Sequence, residues 1–542
     1  MANVIQIYDT TLRDGSQAED ISFSLEDKLL IAQRLDEFGV DYIEGGWPNP
    51  TNPKDLEFFS RASQETWKNA RISSFGSTRR AANKPEEDAT LNTLLGSETE
   101  TVCIFGKSWI LHVTDVLKID LAENVRMIED SVAYLRSKDR EVIYDAEHFF
   151  DGYKADPDYA IRTLKAAEAG GASCVVLCDT NGGTLPLEMV DILADVKKQV
   201  SCSFGIHSHN DAGVGVANAL IAVEEGAIQV QGSFNGYGER CGNANLCTVI
   251  PNIKLKLNKQ LKSGENLDEL MEFSRFISEV ANVYHDHRQP YVGESAFAHK
   301  GGVHIDAMSK SPASYEHVEP GSVGNQSRFL LSEQSGTATV AAKLDHLLPG
   351  VDKRDPRVIA LLEEVKSREN DGYIYEGAEA SFDILARRAL QGFEDPFKLI
   401  GFRTINRKSA DNGTEVEAIV KIEVKGEKCY TVAEGDGPVN ALDGALRQAL
   451  ESEYPVLNTV RLEDYKVRVL SSGDGTAAKV RVLIESSDRH RMWSTIGVSE
   501  NIIDASWLAL VDSLTYKLLI DGVIVGEDAL SDEGPDEHKA IA

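Results

Sequence analysis

Two short stretches of the sequence carry side chains that could do chemistry together. Arg13 and Asp14 stand side by side in Asp9-Thr10-Thr11-Leu12-Arg13-Asp14-Gly15, and much later two histidines alternate in His207-Ser208-His209-Asn210-Asp211. An aspartate can ligate a hard cation while a neighbouring guanidinium grips an anionic oxygen of whatever that cation polarises. Histidines at i and i+2 on a strand point to the same face, so both can reach one ion. Each motif alone has a plainer reading, Arg-Asp as a surface ion pair and His-x-His as an ordinary strand with one histidine in the core. A third stretch, Asn235-Gly236-Tyr237-Gly238-Glu239-Arg240-Cys241-Gly242-Asn243, ends in an amide whose oxygen could join them. One carboxylate, two imidazoles and an amide oxygen leave open positions on a divalent ion, enough for a substrate to bind through two oxygens. Mixed oxygen and nitrogen ligation without thiolate suits Mg²⁺, Mn²⁺ or Zn²⁺ and does not choose among them.

Such a cluster needs a scaffold that brings distant segments to one point. Ile5 and Ile7 alternate as in a buried strand ending at the Arg-Asp pair, and Ser203-Phe204-Gly205-Ile206 leads in the same way to the histidines. From residue 1 to about 260 one pattern recurs: a short apolar run, a polar or glycine-bearing turn, then an amphipathic helix. The runs are Val4-Tyr8, Tyr42-Glu44, Arg71-Ser74, Thr101-Phe105, Val142-Asp145, Cys174-Cys178, Ser203-His207 and Ile228-Gly232. They are spaced by roughly the size of a βα unit. Between them lie helices such as Ser24-Phe38, with Leu25, Leu29, Leu30 and Leu35 expected on one face and Ser24 with Asp27 as its cap, and Leu121-Leu135. This alternation predicts an α/β fold of the (β/α)8, or TIM barrel, type more than an open doubly wound sheet. No GxGxxG follows the first strand, which weakens a dinucleotide-binding reading. Chemistry in such barrels sits at the C-terminal ends of the strands. Arg13, Asp14, Glu44, Glu147, Asp179, Thr180, His207, His209 and the segment Asn235 to Asn243 are then candidates for one shared pocket. Closure brings the end of the eighth strand beside the first, so Asn243 can reach across.

Composition sets the outer bounds. A chain of 542 residues exceeds what one core usually supports, so two or three domains are expected. Net charge of −31 argues against nucleic acid or an anionic membrane as partner, so any anionic ligand must be held by local basic groups. Seven scattered cysteines without a CxxC pair fit a reduced compartment better than a disulfide scaffold or zinc ribbon. The first strand begins within a few residues, no apolar run is long enough to span a bilayer, and a cytoplasmic enzyme is the expectation.

Beyond the barrel, expected at 1–264, residues 265–392 are mainly helical, with Leu267-Val283, Thr337-Leu348, Val358-Ser367 and Ala378-Leu390 as candidates. Glycine-rich connections at Ala298-His299-Lys300-Gly301-Gly302-Val303-His304 and Gly321-Ser322-Val323-Gly324 suit a lid-like connecting subdomain. Residues 393–525 then show a duplication. Strands near Phe397-Ile405, Glu415-Val424 and Lys428-Val432 lead through Gly435 into a helix with Asn440 and Asp443; strands near Tyr465-Val469, Lys479-Glu485 and Arg489-Thr495 lead through Gly497 into one with Asn501 and Asp504. Two βββα units would thus form a C-terminal α+β domain. Glycine-bearing loops running into helix N-termini could hold a small acidic or amino-acid ligand, or Asn and Asp could simply cap their helices. Residues 526–542 read as a solvated acidic tail.

The three motifs resemble the signatures of the DRE-TIM metallolyase superfamily, and the chain is similar to its Claisen-condensing branch, the 2-isopropylmalate, homocitrate and citramalate synthase family. The resemblance spans the barrel, the connecting region and the βββα duplication, which looks like that branch's regulatory domain. Gly45-Gly46-Trp47-Pro48-Asn49-Pro50 and Asp145-Ala146-Glu147-His148-Phe149-Phe150-Asp151-Gly152 are most like members that condense acetyl-CoA with pyruvate. The resemblance implies an acyltransferase whose acyl group becomes alkyl on transfer. It implies Asp14, His207, His209 and Asn243 as metal ligands, Arg13 as the group binding the 2-oxo acid and stabilising its alkoxide, and Thr180 as donor to the substrate carboxylate. It further implies Glu147 in acetyl-CoA activation, His304 as a helper histidine and Tyr315 as an assisting tyrosine. Cys241 resembles a nucleophile position; Glu147 as an orienter only, His304 as a turn-closing residue and Cys241 as a small buried thiol are the plainer alternatives. A homodimer, with isoleucine or leucine as effector of the C-terminal domain, belongs to the same set of expectations. The rivals are members of the branch taking a larger oxo acid, a lyase running the reverse cleavage, a biotin-linked carboxyltransferase, and an amino-acid-binding sensor with an inactive barrel. Intact Arg13, Asp14, His207 and His209 speak against the last.

Overall fold

The computed structural model describes residues 4–308, 310–331, 335–345, 347–409, 413–470, 478–488 and 490–524, so the expected acidic tail lies outside the described residues. Eight parallel strands close into a barrel: β1 (Gln6–Asp9), β2 (Tyr42–Gly46), β3 (Arg71–Ser77), β4 (Thr101–Lys107), β5 (Glu141–Glu147), β6 (Cys174–Asp179), β7 (Phe204–Ser208) and β8 (Gln229–Gly232). Each overlaps one of the apolar runs, because a parallel strand covered on both faces must be apolar almost throughout, as the wholly buried β6 is. The ring closes where β8 returns to β1, with Tyr8 opposite Gln231 and Asp9 opposite Gly232.

Local signals start and stop the covering helices. Helix Leu25–Phe38 begins at a reciprocal cap in which Ser24 Oγ accepts from Asp27 N at 3.2 Å and Asp27 Oδ2 accepts from Ser24 N at 2.8 Å. It stops at Gly39, whose φ of 96° suits glycine. Its inner face carries Leu29, Ile31, Ala32, Leu35 and Phe38. Leu30, expected inward, is 45% exposed, because Ile31 occupies the facing position one residue on.

Two compact units divide the chain, residues 1–297 with 316–327, and 298–315 with 328–542. In the first, the core lies between barrel and helices, while Tyr8, Tyr42, Phe75, Cys103, Ile143 and Val176 fill the barrel interior. Helix Leu270–Val280 packs onto this same core: the Phe273 ring stacks on Phe38 at 5.1 Å and meets Phe234 edge-on at 4.6 Å.

The second unit opens with two-residue strands β9 (Ala298–His299) and β10 (Arg328–Phe329), parallel to each other. Helices Thr337–Leu344, Pro356–Asn370 and Glu379–Leu390 share a cluster that includes Leu344, Val358, Leu361, Val365 and Phe382. Two three-stranded antiparallel sheets follow. β11 (Lys398–Ser409), β12 (Gly413–Val424) and β13 (Glu427–Glu434) precede helix Pro438–Leu450, and β14 (Arg461–Val469), β15 (Val480–Ser487) and β16 (Met492–Ser499) precede helix Ile502–Ile520. The two βββα units are therefore present. Their Asn-x-x-Asp motifs are not equivalent, however. Asn501 is the cap of its helix and accepts from Ile503 N at 2.8 Å, whereas Asn440 lies inside a helix capped at Gly437 and accepts from Asp436 N at 3.2 Å. Proline at the first helical position moves the start of the first helix forward relative to its motif.

Candidate active site

The turn after β1 is folded by its own side chains. Asp9 accepts from the backbone N of Thr11 at 3.0 Å and its hydroxyl at 2.8 Å, and Thr11 Oγ1 accepts from Phe234 N at 3.0 Å. With Thr10 N donating to Gly232 O at 2.9 Å, the first turn is tied to the end of the last strand. This presents Asp14 beside His207 and His209: Asp14 Oδ2 lies 3.3 Å from His207 Nε2 and 3.7 Å from His209 Nε2, and all three residues are buried.

Asn243 arrives from the loop after β8. It pairs with His209 in an antiparallel bridge, locked by Asn210 N donating to Gly242 O and Ala244 N to Ser208 O, each at 2.8 Å. The return needs Gly242, with φ of 84° and a close approach that a Cβ would bring to 1.9 Å from Gly236 O. Asn243 Nδ2 donates to Tyr237 O at 3.2 Å, while its Oδ1 is buried without a hydrogen-bond partner among the described residues. A buried carbonyl oxygen left unpaired on the residue bridged to His209 is what a cation would satisfy, so this donor set fits a divalent ion.

Electrostatics agree with that reading. Burial opposes ionisation of Asp14, yet Arg13 and the two imidazoles hold its carboxyl well below the usual carboxylate range. Burial also works against a charged His207, but Asp14 accepts from it and pushes it up to about 9. Burial and the neighbouring His207 lower His209 to about 4, keeping it neutral. A cation entering would replace the proton of His207.

Arg13 is aimed by Glu44, an unexposed carboxylate on β2 that accepts from Arg13 Nε, from Thr10 Oγ1 and, at 2.9 Å, from Tyr8 OH. The guanidinium carbon sits 3.8 Å from the centre of the Phe75 ring. Phe75 stacks on Phe105 at 5.5 Å, and Trp47 closes edge-on against both at 5.8 and 5.6 Å. These residues line a cavity of about 240 Å³ together with Asp14, Glu147, Thr180, His207 and His209.

Glu147, at the end of β5, lines the cavity and accepts from Lys107 at the end of β4, its register partner. Thr180 Oγ1 accepts from His148 N at 2.9 Å, which leaves the hydroxyl hydrogen free to donate; His148 adopts a left-handed backbone, φ 55°, to make that bond. Arg240 grips Asp211 through two bonds of 2.7 and 2.9 Å and also donates to Thr180 O at 2.7 Å, bracing three loops at once. His304 and Tyr315 belong to the other compact unit, where their rings stack at 4.1 Å. His304 is exposed on helix Gly302–Met308 rather than closing a turn. Cys241, expected as a small buried thiol, is exposed, in a run of three exposed residues that precedes the buried Gly242 and Asn243.

Lys107, Gln231 and the aromatic group of Trp47, Phe75 and Phe105 escape sequence reading. Their positions at strand ends were the available signal, since side chains there face the same mouth.

Residues 4–277 match the HMGL-like family, 291–372 the homocitrate synthase post-HMGL domain-like family, and 376–518 the LeuA allosteric (dimerisation) domain. The chain is 53% identical to an (R)-citramalate synthase of Geobacter sulfurreducens, over 95% of this chain and 98% of the relative. It is 50% identical to an (R)-citramalate synthase of Aquifex aeolicus over 96% and 99%, and 29% identical to a 2-isopropylmalate synthase of a Shewanella species over 96% and 97%.

Proposed function

The chain belongs to the HMGL-like family and, within it, to the (R)-citramalate synthases, and from that premise we propose that it joins acetyl-CoA to pyruvate and releases citramalate and CoA. The observation that carries this reading is the corner of the cavity where Arg13 and the Asp14, His207, His209 cluster face three aromatic rings, a setting for a short oxo acid with a small apolar end.

Asp14, His207, His209 and Asn243 would hold a divalent ion, which when bound would supply Lewis acidity toward the keto group of the acid. Thr180 donates its hydroxyl hydrogen to the substrate carboxylate, and Arg13, fixed by Glu44, places positive charge where the alkoxide develops. Glu147 takes a proton from the acetyl methyl. The methyl carbon then bonds to the keto carbon, and the keto oxygen becomes a hydroxyl by gaining a proton. Water adds to the thioester, the carbon–sulfur bond breaks, and CoA leaves as the thiol. Trp47, Phe75 and Phe105 exclude water on the side of the acid's methyl group.

The wider assignment extends to a cytoplasmic homodimer acting in isoleucine formation, with residues 1–264 as the catalytic barrel, 265–392 as the connecting segment and 393–525 as the regulatory domain. Support comes from the match to an allosteric dimerisation domain and from seven cysteines free of disulfides. Among the described residues no helix is long and apolar enough to cross a membrane. Isoleucine binding to the C-terminal domain would damp activity through coupling between sites.

The test is release of free CoA from acetyl-CoA with pyruvate, 2-oxoisovalerate and 2-oxoglutarate in parallel. Pyruvate should be strongly preferred, and preference for the branched acid would overturn the assignment. Titration calorimetry with isoleucine and leucine tests the effector; heat from neither removes the regulatory reading.

A further inference from the structure

We propose that Gln231 and Asp145 are positioning residues that decide which nitrogen of His207 faces the ion site. The inference rests on the ion-site reading above and concerns how this chain's interior orients one ligand.

Gln231 lies on β8 as the register neighbour of His207 on β7, and it is unexposed. Its Oε1 meets His207 Nδ1 at 2.7 Å, while its Nε2 donates to Asp145 Oδ1, on β5, at 3.0 Å. A carboxylate offers only acceptors, so Asp145 takes the amide hydrogen and turns the amide oxygen toward His207. That oxygen can only accept, so Nδ1 of His207 carries a hydrogen. The opposite nitrogen, Nε2, is the one directed at Asp14, and its lone pair is then the one available to a cation.

The reversed amide would set Oε1 against the carboxylate and an N–H against the ring N–H, two repulsive contacts in a buried place. Asp145, which lines the same cavity, therefore acts on the ion site through an intervening side chain. Partners of this kind behind metal-binding histidines typically change ion affinity by about 10–100-fold.

The experiment titrates Mn²⁺ alone into the metal-stripped full-length protein by calorimetry, alongside the melting temperature without ion. Asp14→Asn should abolish binding; a parent that binds no Mn²⁺, or an Asp14→Asn protein that binds as well as the parent, would count against the ion site itself. Given a parent that binds, Gln231→Met should weaken affinity about 10–100-fold, since the ring loses its fixed acceptor. Gln231→Glu should also weaken it, because two carboxylates then face each other. Adding Asp145→Asn to Gln231→Glu rebuilds the relay with donor and acceptor exchanged, and affinity should return to within about threefold of the parent. A merely structural role would not produce that rescue. Equal affinity in the parent and Gln231→Met, or a double variant no tighter than Gln231→Glu, would overturn the proposal. The comparison of Gln231→Glu with and without Asp145→Asn stands even if the methionine variant does not fold.

Discussion

Asp14 Oδ2 lies 3.3 Å from Nε2 of His207, a residue that reaches it from the far end of the barrel sequence. A carboxylate held ionised beside an imidazole needs a positive charge there, supplied by a proton or by a cation. Asp14→Asn removes that charge while keeping the shape. Divalent ion binding should be lost and kcat should fall by about two to three orders of magnitude, read by calorimetry and by CoA release.

Arg13 serves Glu44 through Nε, sets Nη1 3.5 Å from Asp14 Oδ2 and lines the cavity. Lysine has the charge without the fork, so it cannot face both ways. Arg13→Lys should lower kcat about 100-fold with a smaller change in KM for pyruvate, measured by steady-state kinetics.

The rings of Phe75 and Phe105, stacked at 5.5 Å, wall the end of the cavity. Phe105→Ala should open room for a longer side chain. The ratio of kcat/KM for 2-oxobutyrate over pyruvate should rise about 10–100-fold, since one methylene is worth about 1–3 kcal/mol in such a pocket.

Burial pushes Asp9 up to about 7, against the two bonds that it accepts from Thr11. Its folded-state value lies above that of the unfolded chain, so between about pH 4 and 7 the native state holds the extra proton. Stability from this group is full below that window and falls as pH rises through it, by up to about 1.4 kcal/mol per unit crossed. Melting temperature followed from pH 5 to 8 should drop less steeply in Asp9→Asn than in the parent.

A Cβ at position 242 would collide with Gly236 O, and φ there is 84°. Gly242→Ala should displace Asn243 and weaken Mn²⁺ binding by about tenfold or more, with a smaller loss of melting temperature than a core truncation gives.

Much of this architecture is legible in the sequence because burial on both faces leaves strands no choice but apolar runs, as in Cys174-Val175-Val176-Leu177-Cys178. The cap at Ser24 and Asp27 is legible because it is local. Asp14, His207 and His209 stand out because their types are rare together at strand ends. Glu44 is legible as a polar residue at a strand end, but Gln231 is not, since an amide carries no signal until the barrel sets it beside a ring nitrogen. Trp47 after β2, Phe75 on β3 and Phe105 on β4 read as ordinary core until the neighbouring strands bring their rings together. The offset between Asn440 and Asn501 is invisible because Pro438 shifts a helix start without changing the motif.

The pairing of β8 with β1 gives the protein a built-in order of events. During translation the Arg-Asp turn leaves the ribosome about two hundred residues ahead of the histidines and of Asn243. A nascent or truncated chain that stops short of Asn243 thus carries an exposed arginine and aspartate with nothing to act upon. Catalytic competence becomes a report that synthesis has passed the last stave of the ring.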